Sequence, residues 1–205
     1  LNAASNDLVL NFSNLVTIDG SSTFANVGNL TSVGPAAVKG TIATSGNQTY
    51  SDNVSLIGAT TLQGSAAVLS GAIAGGNNPL TLNFSDAVTV LDGGIANVQT
   101  LTALTDVDLA GAIQTSGDQN YAANVTLIGS TSLEGNAATF ATGVSGGGHD
   151  LSINFTQASL DGLSNINNFT SLGGVELNGS FNTTGFQNYA GPITLLGDTS
   201  LNPTQ

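Results

Sequence analysis

Along Leu8-Val-Leu-Asn-Phe12, Leu80-Thr-Leu-Asn-Phe84 and Leu151-Ser-Ile-Asn-Phe155, apolar side chains occupy every second position. A β-strand sends alternate side chains to opposite faces, so this spacing predicts strands with one buried and one solvated face. The alternation also runs through a longer stretch that occurs three times, at 44–62, 115–133 and 183–201. The residues common to all three copies are Thr44, Gly46, Gln48, Tyr50, Leu56, Gly58, Thr60 and Leu62 in the first, with their counterparts in the others. All share one parity. Identity confined to every second residue means that packing fixes one face while the other drifts in solvent. The side chains expected to point inward are Leu10, Phe12, Val54, Leu56, Leu82, Phe84, Val125, Leu127, Ile153, Phe155, Ile193 and Leu195.

Gly46, Gly117 and Gly185 set the copies 71 and 68 residues apart, so the chain reads as one domain, 1–205, of three repeats at about 1–62, 63–133 and 134–205. A further element recurs as Asn29-Leu-Thr-Ser-Val33, Thr100-Leu-Thr-Ala-Leu104 and Asn168-Phe-Thr-Ser-Leu172. It leads each time to Val38-Lys-Gly40, Leu109-Ala-Gly111 or Leu177-Asn-Gly179, where an apolar spacing of three marks a bend. Strand starts at Leu8, Leu30, Val54, Leu80, Leu101, Val125, Leu151, Phe169 and Ile193 lie 18 to 26 residues apart. Taken at face value they divide each repeat into three turns of about 23 residues, too short for a strand-helix-strand unit and long enough to wrap a three-sided prism. The expected fold is an all-β parallel β-helix, or β-solenoid, of roughly eight or nine coils. Corners fall at Asp-Gly pairs 19–20, 92–93 and 161–162, at Gly75-Gly76-Asn77-Asn78-Pro79, at Gly146-Gly147-Gly148, and near Gly64 and Gly135.

Composition supports strands over helices: 27 Gly, no Met and a single basic residue, Lys39, beside abundant Thr, Val, Ser and Asn. The formal charge of −12 leaves nothing to neutralise phosphates, which excludes nucleic acid and anionic lipid surfaces as partners. Cysteine is absent, which neither requires nor forbids an oxidising compartment. No apolar run is long enough for a membrane helix, so no membrane insertion is expected. The chain starts at Leu1 without a charged leader and reads as a mature or excised segment.

Candidate chemistry is thin. His149, the only histidine, stands beside Asp150 with Ser145 and Ser152 nearby, but it follows three glycines and has no counterpart in the other copies. Asp106 with Asp108, or Glu134 with Glu176, could supply the carboxylate pair of a glycosidase. Nothing in the pattern singles them out, and the chain has no Trp to stack on a sugar. Asp19, Asp92 and Asp161 recur at what looks like one corner, which allows weak Ca²⁺ binding and otherwise reads as turn chemistry. Tyr50, Tyr121 and Tyr189 have the parity of the core, and Gln48, Gln119 and Gln187 share it, so their amides should bond corner backbone. Asn-X-Ser/Thr occurs ten times, at Asn11, Asn29, Asn47, Asn53, Asn83, Asn124, Asn154, Asn168, Asn178 and Asn182, as a chain rich in these residues generates by composition. Only Asn178 carries an acidic residue, Glu176, two positions before it. The expectation is no catalytic, cofactor or metal residue.

The recurring Gly-x-Gln-x-Tyr-x(3)-Val/Ile-x-Leu-x-Gly-x-Thr-x-Leu pattern, with the Leu-x-Asn-Phe strand and the Leu-x-Gly step, resembles repeats of filamentous-haemagglutinin-like bacterial exoproteins and autotransporter-like adhesins. The resemblance covers nearly the whole chain. It implies a right-handed parallel β-helix, secretion across an outer membrane, and a place at the cell surface or outside the cell in adhesion or biofilm. Asn78-Pro79 and Asn202-Pro203 do not make the Asn-Pro-Asn-Leu signature of the secretion domain in such exoproteins. The leading reading is a non-enzymatic structural or adhesive stalk segment whose partners are more repeats of its own chain, copies of itself stacked end to end into a fibre, or a host-cell or matrix glycan or protein. The alternative is a β-helical glycan binder or hydrolase of the tailspike kind. With no distinct capping coil near Leu1 or Gln205, the coil is expected to continue at both ends.

Overall fold

The computed structural model describes residues 2–21 and 25–204. Leu1 and Gln205, from which continuation of the coil is expected, lie outside the described residues. Nineteen strands and no helix are found among them, and every strand pairing is parallel. Such pairing needs a long return path, which a solenoid supplies by going once round its axis. Residues pair with partners 17 to 23 positions further on: Gln157 with Gly174, Ile73 with Ile95, Asn2 with Ala25. One ladder runs Leu8, Leu30, Gln48, Ala67, Val88, Val107, Val125, Val144, Leu163, Phe181, Leu201, eleven rungs enclosing about ten turns. The fold is the expected β-solenoid, with a shorter turn than the expected 23 residues.

The reason for the shorter turn lies in the faces of the prism. Between Gln48 and Ala67 the chain visits three of them: face one at Gln48–Tyr50, face two from Val54, and face three from Thr60. Val54 stacks on Ala36 and beneath Ile73, and Thr60 stacks on Gly40 and beneath Leu80. Each face takes only about six residues, two or three of them pointing inward. Counted by faces, Gln48 to Gln119 is eleven steps and so is Gln119 to Gln187, which is three and two-thirds turns. Gln48 therefore lies on face one, Gln119 on face three and Gln187 on face two. Successive copies of the repeat are carried round the axis, and three of them complete eleven turns. The strand starts that suggested a 23-residue turn mix faces: Leu8 and Leu30 are on face one, Val54 on face two, and Leu80 and Leu101 on face three.

The interior is a column of aliphatic and aromatic side chains. Val54, Leu56, Leu82, Phe84, Val125, Leu127, Ile153 and Phe155 are buried as their parity requires. Tyr121 stacks on Phe140 in the next coil, centroids 4.9 Å apart and rings 10° from parallel, the spacing of neighbouring parallel strands. Four of the expected inward residues differ. Leu10 is only partly buried against the core, and Phe12 lies beyond the end of its strand, Asn2–Leu10, in a corner where it is 54% exposed. Ile193 and Leu195 pair with Val175 and Leu177 on one edge, and no described coil covers the other, which leaves them 44% and 62% exposed.

Candidate functional site

The shared residues of the three copies build a corner clasp. Thr44 Oγ1 donates to the Gly46 carbonyl at 2.8 Å, which folds the chain over, and Gln48 enters the interior beside it. Gln48 Nε2 donates to the carbonyls of Ile42 and of Gln63 in the next coil, both at 2.8 Å, while Tyr50 Oη donates to Gln48 Oε1 at 3.0 Å. The second copy repeats every bond: Thr115 to Gly117, Gln119 to Ile113 and Glu134, Tyr121 to Gln119. In the third, Thr183, Gln187, Phe181 and Tyr189 do the same within their own coil. A buried amide is satisfied here by corner carbonyls, one of which, that of Gln63, also accepts from the Thr44 backbone N–H at 2.9 Å. Burial pushes the hydroxyl pKa of all three tyrosines above its ordinary value, that of Tyr189 to about 12. None of the three is a surface platform for a sugar.

The second half of the signature is a second clasp. Thr60, Thr131 and Thr199 each donate through Oγ1 to the carbonyl of the glycine two before, Gly58, Gly129 or Gly197, and approach the coil below through Val38, Leu109 or Leu177. The Leu-x-Gly step bends because Gly40, Gly111 and Gly179 hold φ of 72°, 81° and 87°, a region closed to most side chains. Asn26, Asn97 and Asn165 take left-handed φ of 56°, 56° and 52° at the equivalent point of each copy. Sequence reasoning passed over them, although their spacings of 71 and 68 residues match those of the signature, and Asn tolerates this conformation better than other non-glycine residues.

Outside the prism, Asp and Asn bridge neighbouring coils. Asp150 Oδ1 accepts from Asn167 Nδ2, Asn168 N and Asn168 Nδ2 at 2.8 to 3.0 Å, and Asn168 Oδ1 accepts in turn from Phe186 N. Asp7 with Asn29, Asp106 with Asn124, and Asp161 with Asn178 form similar pairs. Four of the ten Asn-X-Ser/Thr asparagines, Asn29, Asn124, Asn168 and Asn178, thus spend their amides on a carboxylate one coil away.

The sequence candidates do not converge. His149 caps its glycine turn by donating through its backbone N–H to the Gly146 carbonyl, while Asp150 is engaged with Asn167 and Asn168. Ser145 ends its strand on face one and Ser152 points out from face two. Glu134 stands on face two beside Asn154, and Glu176 on face three between Ser159 and Thr194. Asp106 and Asp108 lie close together on one side, and the Asp108 carboxyl is raised above its ordinary pKa by burial and by its neighbour Asp106. Asp19, Asp92 and Asp161 do not share a corner: they sit between faces two and three, one and two, and three and one, because the repeat rotates. Lys39 Nζ pairs with Asp19 Oδ2 at 3.0 Å, and that hydrogen bond, ahead of the one from the Ser21 backbone, lowers the Asp19 pKa. Among the described residues no three His, Asp or Glu side chains are grouped to hold a metal ion.

Two adjoining hollows mark the outer side of face two and its corner with face three. The larger, about 240 Å³, is lined by Gly93, Ile95, Ala96, Ala112, Ile113, Gln114, Ser132 and Glu134. The smaller, about 200 Å³, is lined by Asn77, Asn97, Gln114, Thr115 and Ser116. Gln114 belongs to both, and its Nε2 lies 3.4 Å from Glu134 Oε2. No family model, no curated protein and no solved structure matches this chain.

Proposed function

We propose that the chain is a non-enzymatic stalk segment of an extracellular or cell-surface repeat protein of the adhesin kind, with length and stiffness as its task. One observation carries this reading. Every residue shared by the three copies of the 19-residue signature closes a corner or points to the core side, while Glu134 and Glu176 stand on different faces and Asp106, beside Asp108, is engaged by Asn124. A solenoid scaffold gains length by adding coils without enlarging its core, since each coil contacts only its neighbours. Its partners in this reading are further coils of the same geometry, from its own chain or from another copy. Among the described residues the strand Ile193–Pro203 pairs on one edge, with Gly174–Thr183, and Leu195 and Leu201 are exposed beside the other. The −12 charge keeps such rods apart laterally.

The test is to display one, two and three tandem copies of the whole 205-residue chain on a cell surface beneath a fluorescent tip. The stand-off distance should grow by about 50 Å per copy, at roughly 4.8 Å per coil, with no shortening of neutral or acidic polysaccharides added to the medium. A stand-off independent of copy number, or the release of shortened glycans, contradicts the proposal.

A further inference from the structure

The two hollows share Gln114 and form a groove on face two whose outward side chains Gln114, Ser132 and Glu134 take no part in the corner clasps. Along the coils the outward column reads Ala74, Ala96, Gln114, Glu134, so small side chains leave a floor that longer ones wall at one end. At the neighbouring corner, Ser116 Oγ donates to Asn77 Oδ1 at 2.8 Å across 39 residues, two coils apart, and bridges over the intervening coil that carries Asn97. The lining is also particular to this place. Gln114 and Glu134 correspond to Ala43 and Gln63 in the first copy and to Asn182 and Asn202 in the third.

We propose that this groove binds an uncharged oligosaccharide. Gln114 Oε1 and the Glu134 carboxylate present acceptors, while the amides of Asn77 and Asn97 and the Ser132 hydroxyl present donors, a mixed array that suits vicinal hydroxyls. Ala96 and Ala112 give a shallow apolar floor for the C–H face of a sugar ring. The array runs over four coils, roughly 14 Å from first to last at 4.8 Å per coil, about the length of three sugar residues. The surroundings exclude other ligand classes: the groove holds no cation for a phosphate or a uronic acid, and it is too open and polar for a lipid chain. Without an aromatic platform the binding is weak. This inference does not rest on the stalk reading, and a rod that binds no sugar leaves that reading intact.

The test is saturation-transfer NMR on the full chain with cellotetraose, maltotetraose and mannotetraose, beside tetragalacturonate and the tetramer of glucosamine. The double variant Gln114→Ala/Glu134→Gln, which gives the groove the side chains of the first copy and so keeps a lining this fold already carries, is measured in parallel. At least one neutral tetramer should receive saturation, and the variant should weaken it about tenfold, the worth of one good hydrogen bond. Asn154→Ala, on the same face outside the groove, should leave binding unchanged. Absence of transfer to every neutral tetramer at 20-fold excess over protein, equal transfer to the double variant, or binding of the glucosamine tetramer alone would each overturn the proposal.

Discussion

Replacing Gln119 by Leu keeps the side-chain volume and removes the polar head at the centre of the second clasp. Gln119 is 1% exposed; its Nε2 serves the carbonyls of Glu134 and Ile113 at 2.8 and 3.2 Å, and its Oε1 accepts from Tyr121 at 2.8 Å. The leucine leaves the Tyr121 hydroxyl without its acceptor and takes a donor from two carbonyls, of which that of Glu134 keeps a 3.4 Å contact from Thr115 Oγ1. At about 1–3 kcal/mol for each group left unsatisfied, the loss should come to about 2–5 kcal/mol after some local relaxation. Tyr121→Phe strands only the glutamine oxygen and should cost about 1–2 kcal/mol. Gln48→Leu should match Gln119→Leu, whereas Gln187→Leu should cost less than half as much, because Gln187 and Tyr189 are only partly buried and water can reach the orphaned groups. Solenoids open locally, so the appropriate assay is hydrogen exchange at the amides of 113–121 and 133–140, supported by urea unfolding. Equal costs at all three glutamines, or a neutral Gln119→Leu, would show that the clasp is decoration and that aliphatic stacking alone closes the corner.

Leu127→Asp places a charge at a site 1% exposed and should cost several kcal/mol, enough to lower the circular-dichroism melt by many degrees. The tyrosines predict the alkaline limb. Their folded pKa values lie above the unfolded value of about 10, so the stability they lend is intact below pH 10 and is lost as pH rises toward the folded values; absorbance at 295 nm should show little tyrosinate at pH 10.5 until the chain unfolds. His149→Ala and Glu176→Gln should leave the melt unchanged, since neither side chain has a partner that the fold depends on, and a shift of several degrees in either would refute that placement.

Much of the architecture was legible because a strand announces its buried face by parity. The single parity of Thr44 to Leu62 identified inward positions that are indeed inward, and it placed Gln48 at a corner where its amide had to find carbonyls. Turn length was less legible. Only the sides bearing the signature carry a strong pattern, while Ala67–Leu69 and Val88–Val90, three residues each, pass as connecting chain. Overlooking such sides turned three and two-thirds turns into three, and with them three separate Asp-Gly corners into one. Phe12 was misplaced for a local reason: Leu8-Val-Leu-Asn-Phe12 continues the alternation past the point where its strand ends. The groove on face two was invisible for the opposite reason, since it depends on the small side chains of Ala96 and Ala112 meeting polar ones from other coils, and no spacing along the chain records that meeting.

The central claim is that one turn takes about 19 residues, so that the repeat advances eleven faces and rotates about the axis. The native chain has no cysteine, which makes engineered thiol pairs a clean ruler. Thr126 and Ser145 stand opposite each other on adjacent coils of face one, as do Asp108 and Thr126. Neighbouring parallel strands lie about 4.8 Å apart, within disulfide reach. Under mild oxidation Thr126→Cys/Ser145→Cys and Asp108→Cys/Thr126→Cys should close rapidly within one molecule, while Thr126→Cys/His149→Cys, spaced for a 23-residue turn, should not. Rapid closure of the last pair with failure of the first two would contradict the three-sided, rotating solenoid.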